Sequence, residues 1–406
     1  MLFSAPQERH PVPPATPRVL GLVVALGVTQ IIGFGTLFYA FSVIVVPLSA
    51  DLSLSLPMAY GALSAALLVS GVVAPLAGRL IDRHGARAMM AAGSVASGVA
   101  FALLAGVWNG PTLLVALAVA ELFAPLVLYD AAFAALAQSV GPARARRAIT
   151  QMTLMGGFAS TVFWPLTLGL VQGFGWREAY LTFAALHLLI CLPLHLSLPR
   201  MTRAARPAPA DVPPFPTLPS GAQRHAMILL AVGFSLSWAV MSAFSAQWVP
   251  VLGAIGLSEG AAVAAGALMG PAQVGARVLE MLFAARRHPM ITALVAMSCL
   301  VVAVLVLALA PASFLTAAVF AVLFGIGQGL GTVIRGTVPL ALFGDTGFAA
   351  RLGRLASLRQ ILGAVSPFAM AGALAIWGAG ITLSLAAGFA AAALLAFWRV
   401  PWRGPR

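Results

Sequence analysis

Lysine is absent from this chain of 406 residues, and only 10 residues are acidic. Charged side chains of every kind make up 8% of it, whereas a water-soluble domain carries about 25%. A soluble globule is therefore excluded. Cysteine occurs twice, at Cys191 and Cys299, each inside an apolar stretch, which argues against a disulfide framework and against a thiolate metal site. Both read as packing residues. There is no glycine-rich phosphate loop, zinc-ligand spacing or nucleophile elbow, so an ATP-driven pump is disfavoured and no enzyme activity, cofactor or metal is expected. Gly325, Gly327, Gly329 and Gly331 resemble a nucleotide fingerprint only superficially, because they fall mid-span at positions suited to close helix packing.

Hydrophobic residues fill 61% of the chain, and the mean hydropathy is +1.01. This composition predicts an all-α membrane protein. About 20 apolar residues cross a bilayer as a helix, and twelve such spans are predicted at 18–46, 58–78, 88–108, 112–138, 148–172, 177–198, 225–250, 260–284, 290–310, 313–343, 355–378 and 381–399. The net charge of +13 does not mark a nucleic-acid binder, since the arginines recur in short clusters between spans. Alternate connections carry Arg79, Arg83 and Arg87; Arg144, Arg146 and Arg147; Arg200, Arg203, Arg206 and Arg224; Arg286 and Arg287; and Arg351 and Arg354. The opposite connections offer Asp51, the pair Arg177 and Glu178, and Glu259. By the positive-inside rule both termini are cytoplasmic, in a multi-pass protein of a bacterial inner membrane. The first apolar stretch is too long for a signal-peptide core, so no cleavage is expected.

The proline-rich segment after the sixth span divides the chain into a cytoplasmic tail (1–17), a first six-helix bundle (18–198), a cytoplasmic linker (199–224), a second bundle (225–399) and a tail (400–406). A shift of 198 positions lays Ala276-Arg277-Val278-Leu279-Glu280 over Gly78-Arg79-Leu80-Ile81-Asp82, and a shift of 202 lays Pro367 over Pro165. The two bundles thus read as an internal repeat.

Between the second and third spans runs Gly78-Arg79-Leu80-Ile81-Asp82-Arg83-His84-Gly85-Ala86-Arg87. So charged a turn lies in water, with glycines allowing two helices to approach and turn sharply. The pattern resembles the signature loop of the major facilitator superfamily. That resemblance implies twelve transmembrane helices in two pseudo-symmetric six-helix bundles with a substrate site between them near mid-membrane. A gating role is expected for Gly78, Asp82, Arg83 and Gly85, with Asp82 acting on the positive end of the eleventh span near Arg351 and Arg354.

Charges inside spans are expensive and mark function or a latch. Arg277 offers a planar, permanently charged fork suited to a carboxylate, with Gln273 one turn earlier on the same face. The segment Gln273-Val274-Gly275-Ala276-Arg277 resembles that of monocarboxylate transporters, in which an aspartate stands four residues before the arginine. Glutamine replaces that aspartate here. The run Thr36-Leu37-Phe38-Tyr39-Ala40-Phe41-Ser42-Val43, with Val46-Pro47-Leu48, Gly61-Ala62-Leu63-Ser64 and Leu68-Val69-Ser70-Gly71, is similar to bacterial members of the monocarboxylate and oxalate:formate antiporter branch. Where that branch opens on an acidic residue and a glycine-tryptophan cluster, this chain has Gln30-Ile31-Ile32-Gly33-Phe34-Gly35. Two readings of Arg277 stand: an anion anchor, or an echo of Arg79 neutralised by Glu280.

Glu121 and Asp130 are candidates for proton coupling, on opposite faces of a straight helix unless Pro125 kinks it. Asp130 and Arg335 lie at similar depths and are expected to form a gating latch, with Arg359 a further intramembrane charge. Tyr39, Thr36, Trp238 and Gln328, with Gln247 and Gln360, are candidates to shape the pocket. His187 and His195 are expected to pack. The sequence thus predicts a monomeric secondary transporter in the lipid bilayer that carries a small-molecule organic anion, a monocarboxylate above all, with a proton as candidate co-substrate. A drug or amphipathic-metabolite exporter is the alternative, and a non-transporting sensor or structural protein is an alternative of another class.

Overall fold

The computed structural model describes residues 17–200, 215–284 and 287–402. The tail before residue 17, the linker over 201–214 with Arg203 and Arg206, Arg286, and residues 403–406 lie outside the described residues. Among the described residues there is no strand. Eleven helices among the described residues are long and apolar enough to cross a membrane: α1 Val19–Asp51, α2 Leu56–His84, α3 Ala86–Ala105, α4 Gly110–Pro142, α5 Arg144–Phe174, α6 Trp176–Ser197, α7 Ser220–Ala246, α8 Gly260–Phe283, α9 Pro289–Leu309, α10 Phe314–Phe343 and the 51-residue Phe348–Trp398.

A straight helix of that last length would measure about 76 Å, more than twice the ~30 Å hydrocarbon layer. Gly378 breaks it. At φ 73 and ψ 179 it adopts a backbone conformation essentially open to glycine alone, dividing the run into α11 (348–377) and α12 (379–398). Gly141, at φ 73 and ψ 164, separates α4 from α5 in the same way. Gly344 and Gly378 repeat this positive-φ turn 203 positions after Gly141 and Gly175 respectively. The internal repeat is thus visible in the backbone as well as in the residue pattern.

Three spans depart from regular geometry. Helix α1 extends past predicted residue 46 to Asp51 and contains a π-helical segment, Gly35–Tyr39. Helix α4 is interrupted where Pro125 lies in a 3-10 segment, Ala124–Leu126, and the α-helix restarts at Tyr129. The straight-helix argument that set Glu121 and Asp130 on opposite faces therefore does not apply. Helix α8 is split into Glu259–Gly266, Met269–Leu279 and a π segment, Glu280–Ala284. Helix α7 begins at Ser220, inside the predicted linker.

Each half has its own aromatic core, around Phe101, Phe163 and Phe183 in the first and Phe244, Phe320 and Phe324 in the second. A third cluster joins the halves, packing Ala77 and Ile81 with Phe348, Ala349 and Leu352. Large apolar side chains such as Leu189 (75% exposed) and Leu309 (80%) point outward, as a lipid-facing surface requires. Along the α2–α11 seam the backbones nearly touch. A Cβ on Gly78 would overlap the Ala349 carbonyl, and one on Gly353 would overlap that of Ala74. Small residues serve this close approach because lipid provides no hydrophobic drive for helix association, leaving packing to hold the helices together. On α10, Gly325 and Gly329 do the same for α8, each within 2.7 Å of an α8 carbonyl if given a Cβ.

Candidate functional site

Where the two halves meet, buried charges collect. Arg277, on α8, is 4% exposed. Its Nε donates to the Gly329 carbonyl at 3.2 Å, its Nη1 to the Thr153 carbonyl of α5 at 3.0 Å and its Nη2 to Thr332 Oγ1 at 3.3 Å. All three acceptors are neutral. Room for the guanidinium comes from Gly157, where a Cβ would overlap Nη1, and the neighbouring Gly156 likewise clears the Tyr129 hydroxyl. Tyr39 sits in the π segment of α1 and meets Trp164 edge-on at 5.8 Å. One turn before Arg277, Gln273 Nε2 donates to Gln328 Oε1 at 2.6 Å, so two of the residues singled out in the sequence touch.

Glu280 does not neutralise Arg277 in this structure. Its Oε1 accepts from Arg146 Nη2 at 2.9 Å and its Oε2 from Thr150 Oγ1 at 3.0 Å, both on α5. Arg146 Nη1 also donates to the Arg287 carbonyl. Beside it, the His288 imidazole is pushed down to about 4 by burial and by the Arg146 charge. His288 is thus neutral and accepts the Met290 N–H at Nδ1, capping α9.

The other carboxylate of the repeat, Asp82, faces the other way across the interface. Its two oxygens accept the Ala349 and Ala350 N–H groups at 3.1 and 2.7 Å, at the positive end of α11. Ala349 stands 203 positions after Arg146, the same offset as the glycine turns. The carboxylate of α2 therefore holds the first turn of α11, and that of α8 holds the start of α5. Arg83 is exposed at the end of α2, and Gly85 turns the chain at φ 85. Arg351 braces the α10–α11 turn, donating to Phe343 O at 3.1 Å and Thr346 O at 2.6 Å.

Deeper in the interface, Asp130 accepts from Arg335 Nη2 at 3.3 and 3.4 Å and from Arg359 Nη2 at 3.2 Å. The Trp238 ring lies 5.5 Å from the Arg359 guanidinium and 5.9 Å from that of Arg335, a cation–π arrangement. Glu121 is buried within reach of Ser70 and forms no ion pair among the described residues. Thr36 is turned away from this group, bonding His187 of α6 at 2.9 Å inside the first bundle, while His195 bonds Ser94 at 2.7 Å. Gln247 donates to the Pro367 carbonyl. Thr153, Thr332 and Tyr129 were not legible as site residues: a backbone carbonyl has no sequence signature, and a threonine or tyrosine in an apolar span reads as packing.

Among the described residues, every hydrogen bond between the two halves lies between mid-span and the arginine-rich face. That face is shut. Asp82→Asn keeps the shape but loses the charge of one latch, and charge-assisted bonds are worth ~1.5–3 kcal/mol each. The arginine-rich face is expected to open about tenfold or more often. Alkylation of Ala356→Cys from that face, with Cys191 and Cys299 replaced by alanine, reads the change; an unchanged rate would remove Asp82 from gating.

Residues 26–371 match the family described as Major Facilitator Superfamily. None of the curated proteins matches the sequence. Among solved structures, the human organic anion transporter MFSD10 (TETRAN) superposes with a TM-score of 0.76 at 15% identity, covering 94% of this chain and 100% of that one. The proton:xylose symporter XylE, bound to 6-bromo-6-deoxy-D-glucose, gives 0.69 at 13% identity, over 94% of this chain and 95% of its own. The match over most of the length shows that the chain belongs to the major facilitator superfamily of membrane transporters, whose fold the two solved structures share with it.

Proposed function

We propose that this protein is a secondary active transporter of a small organic anion, a monocarboxylate above all, working by alternating access around a site centred on Arg277. The observation that carries the reading is the company Arg277 keeps. A buried guanidinium normally lies against a carboxylate, yet this one donates only to two carbonyls and a hydroxyl. Nearby, one aspartate serves two arginines. The centre of the protein carries more positive than negative charge, and a bound anion offsets the excess. Tyr39, Trp238, Gln273 and Gln328 shape the pocket. MFSD10, an organic anion transporter, has the same fold.

In this reading the two arms divided by Gly378 are separate spans, giving twelve. The arginine-rich face is cytoplasmic, in a bacterial inner membrane, and the protein works as a monomer. The state described is closed to the cytoplasm, and Asp82, Glu280 and Asp130 must release their partners for the bundles to rock. Purified protein in proteoliposomes is expected to exchange labelled small carboxylates across the bilayer. Flux of cationic drugs in place of carboxylates would favour the exporter, and no flux of either would favour a sensor.

Of the two candidate proton carriers, Glu121 is preferred. Asp130 is committed to two arginines, whereas Glu121 has a hydroxyl beside it and no cation, so binding a proton removes an uncompensated buried charge. Glu121→Gln is expected to keep carboxylate exchange, which needs no net protonation cycle, while losing acceleration by an imposed pH gradient. If the gradient drives the variant as well as the wild type, Glu121 plays no part in coupling.

A further inference from the structure

We propose that a cleft between α3, α4 and α6 at the arginine-rich face binds the phosphate headgroup of an anionic phospholipid, held by Arg87 and Arg200. The cleft is small and open to one side, with about 30 Å³ of free volume, and is lined by Ala86, Arg87, Gln138, Ser139, Leu198 and Arg200 among others. None of its lining residues is acidic. Elsewhere on this face Arg146 and Arg351 are consumed by protein acceptors, but Arg87 and Arg200 make no hydrogen bond or ion pair with another described residue. Two guanidinium forks on one concave surface, unmatched by any carboxylate, suit the oxygens of a phosphate.

Two further features favour the same ligand. Gln138 Oε1 accepts the Ala86 N–H at 3.0 Å, which leaves the Gln138 amide N–H groups to donate and sets the positive end of the 20-residue α3 at the cleft. Toward mid-membrane, the helices that frame the cleft expose Val95 and Val99 on α3 and Leu189 and Leu196 on α6. A headgroup in the cleft thus has apolar surface beneath it for its acyl chains, as basic pockets at a membrane interface provide. A free phosphate would make no use of that surface. The cleft belongs to the first half alone and shares no residue with the Arg277 cluster, so its occupant is not the transported anion.

The test compares the melting temperature of the full-length protein in detergent micelles doped with phosphatidylglycerol, with phosphatidylcholine, or with inorganic phosphate in the buffer. Phosphatidylglycerol alone is expected to raise it by several degrees. Arg87→Gln/Arg200→Gln should lose most of the rise and bind the lipid at least about tenfold more weakly, while Arg79→Gln/Arg224→Gln, which removes the same charge outside the cleft, keeps both. Native mass spectrometry provides a second reading, with phosphatidylglycerol adducts retained by the wild type and the control but not by the cleft variant. Equal responses to the two lipids, an undiminished response of the cleft variant, or equal losses in both double variants would each overturn the proposal. A rise produced by inorganic phosphate would reassign the cleft to a soluble anion.

Discussion

Arg277→Ala is expected to lower carboxylate uptake by at least about thirtyfold while leaving yield and melting temperature close to wild type. A carboxylate entering the site gives up hydration that a charge-assisted, bidentate pair replaces, and truncating such a partner costs ~2–5 kcal/mol, or about thirty- to several-thousandfold. Stability responds differently because no buried carboxylate depends on Arg277: Glu280 keeps Arg146 and Thr150. The variant forfeits three hydrogen bonds to neutral acceptors, and it also relieves the protein of a buried charge that has no ion-pair partner. Arg277→Lys keeps the charge but not the fork, and at least about tenfold weaker uptake is expected. If Arg277 were only a counter-charge for Glu280, the order would reverse, with the lysine variant near wild type and the alanine variant poorly folded. Uptake and melting temperature measured on both variants separate the cases, and a stable Arg277→Ala protein with full uptake would end the anchor role.

Asp130→Asn is expected to be the most damaging of the conservative changes to stability. Arg335 and Arg359 share this one carboxylate, and the Arg359 side chain is 6% exposed. Removing one partner of a buried pair costs ~3–5 kcal/mol, most of it the charge left behind. Here two arginines are left. Low detergent-extracted yield and a melting temperature well below wild type should follow, and Asp130→Asn/Arg359→Gln should recover part of the loss because one stranded charge is gone. A single variant as stable as wild type, or a double variant worse than the single, would show that Asp130 does not hold this interface. The effect differs in kind from that at Asp82, whose partners are backbone N–H groups at a helix end near water; there the population of states should move while the fold remains.

Much of the architecture was determined by sequence alone, for a physical reason: lipid cannot satisfy backbone polar groups, so apolar runs of sufficient length must be helices. The span order and the repeat that relates Asp82 to Glu280 follow from hydropathy, arginine placement and spacing. Arg277, Asp130 and Arg335 were conspicuous because a charge in a span always needs an explanation. The contacts of Asp130 with Arg335 and of Asp82 with the start of α11 were also legible, but the partners of Glu280 and Arg277 were not. Glu280 lies three residues from Arg277 in the chain but pairs with Arg146, more than a hundred positions away, because the orientation of α8 against α5 decides which side chains meet. The break at Ala124–Leu126 that invalidates the straight α4, the π segment that carries Tyr39, and the turn of Thr36 toward His187 likewise depend on packing between helices. Arg87 and Arg200 look like any topology arginines in the sequence. Only when α3, α4 and α6 come together do they flank one cleft, because periodicity along a helix reports which faces are apolar and not which faces of different helices will be neighbours.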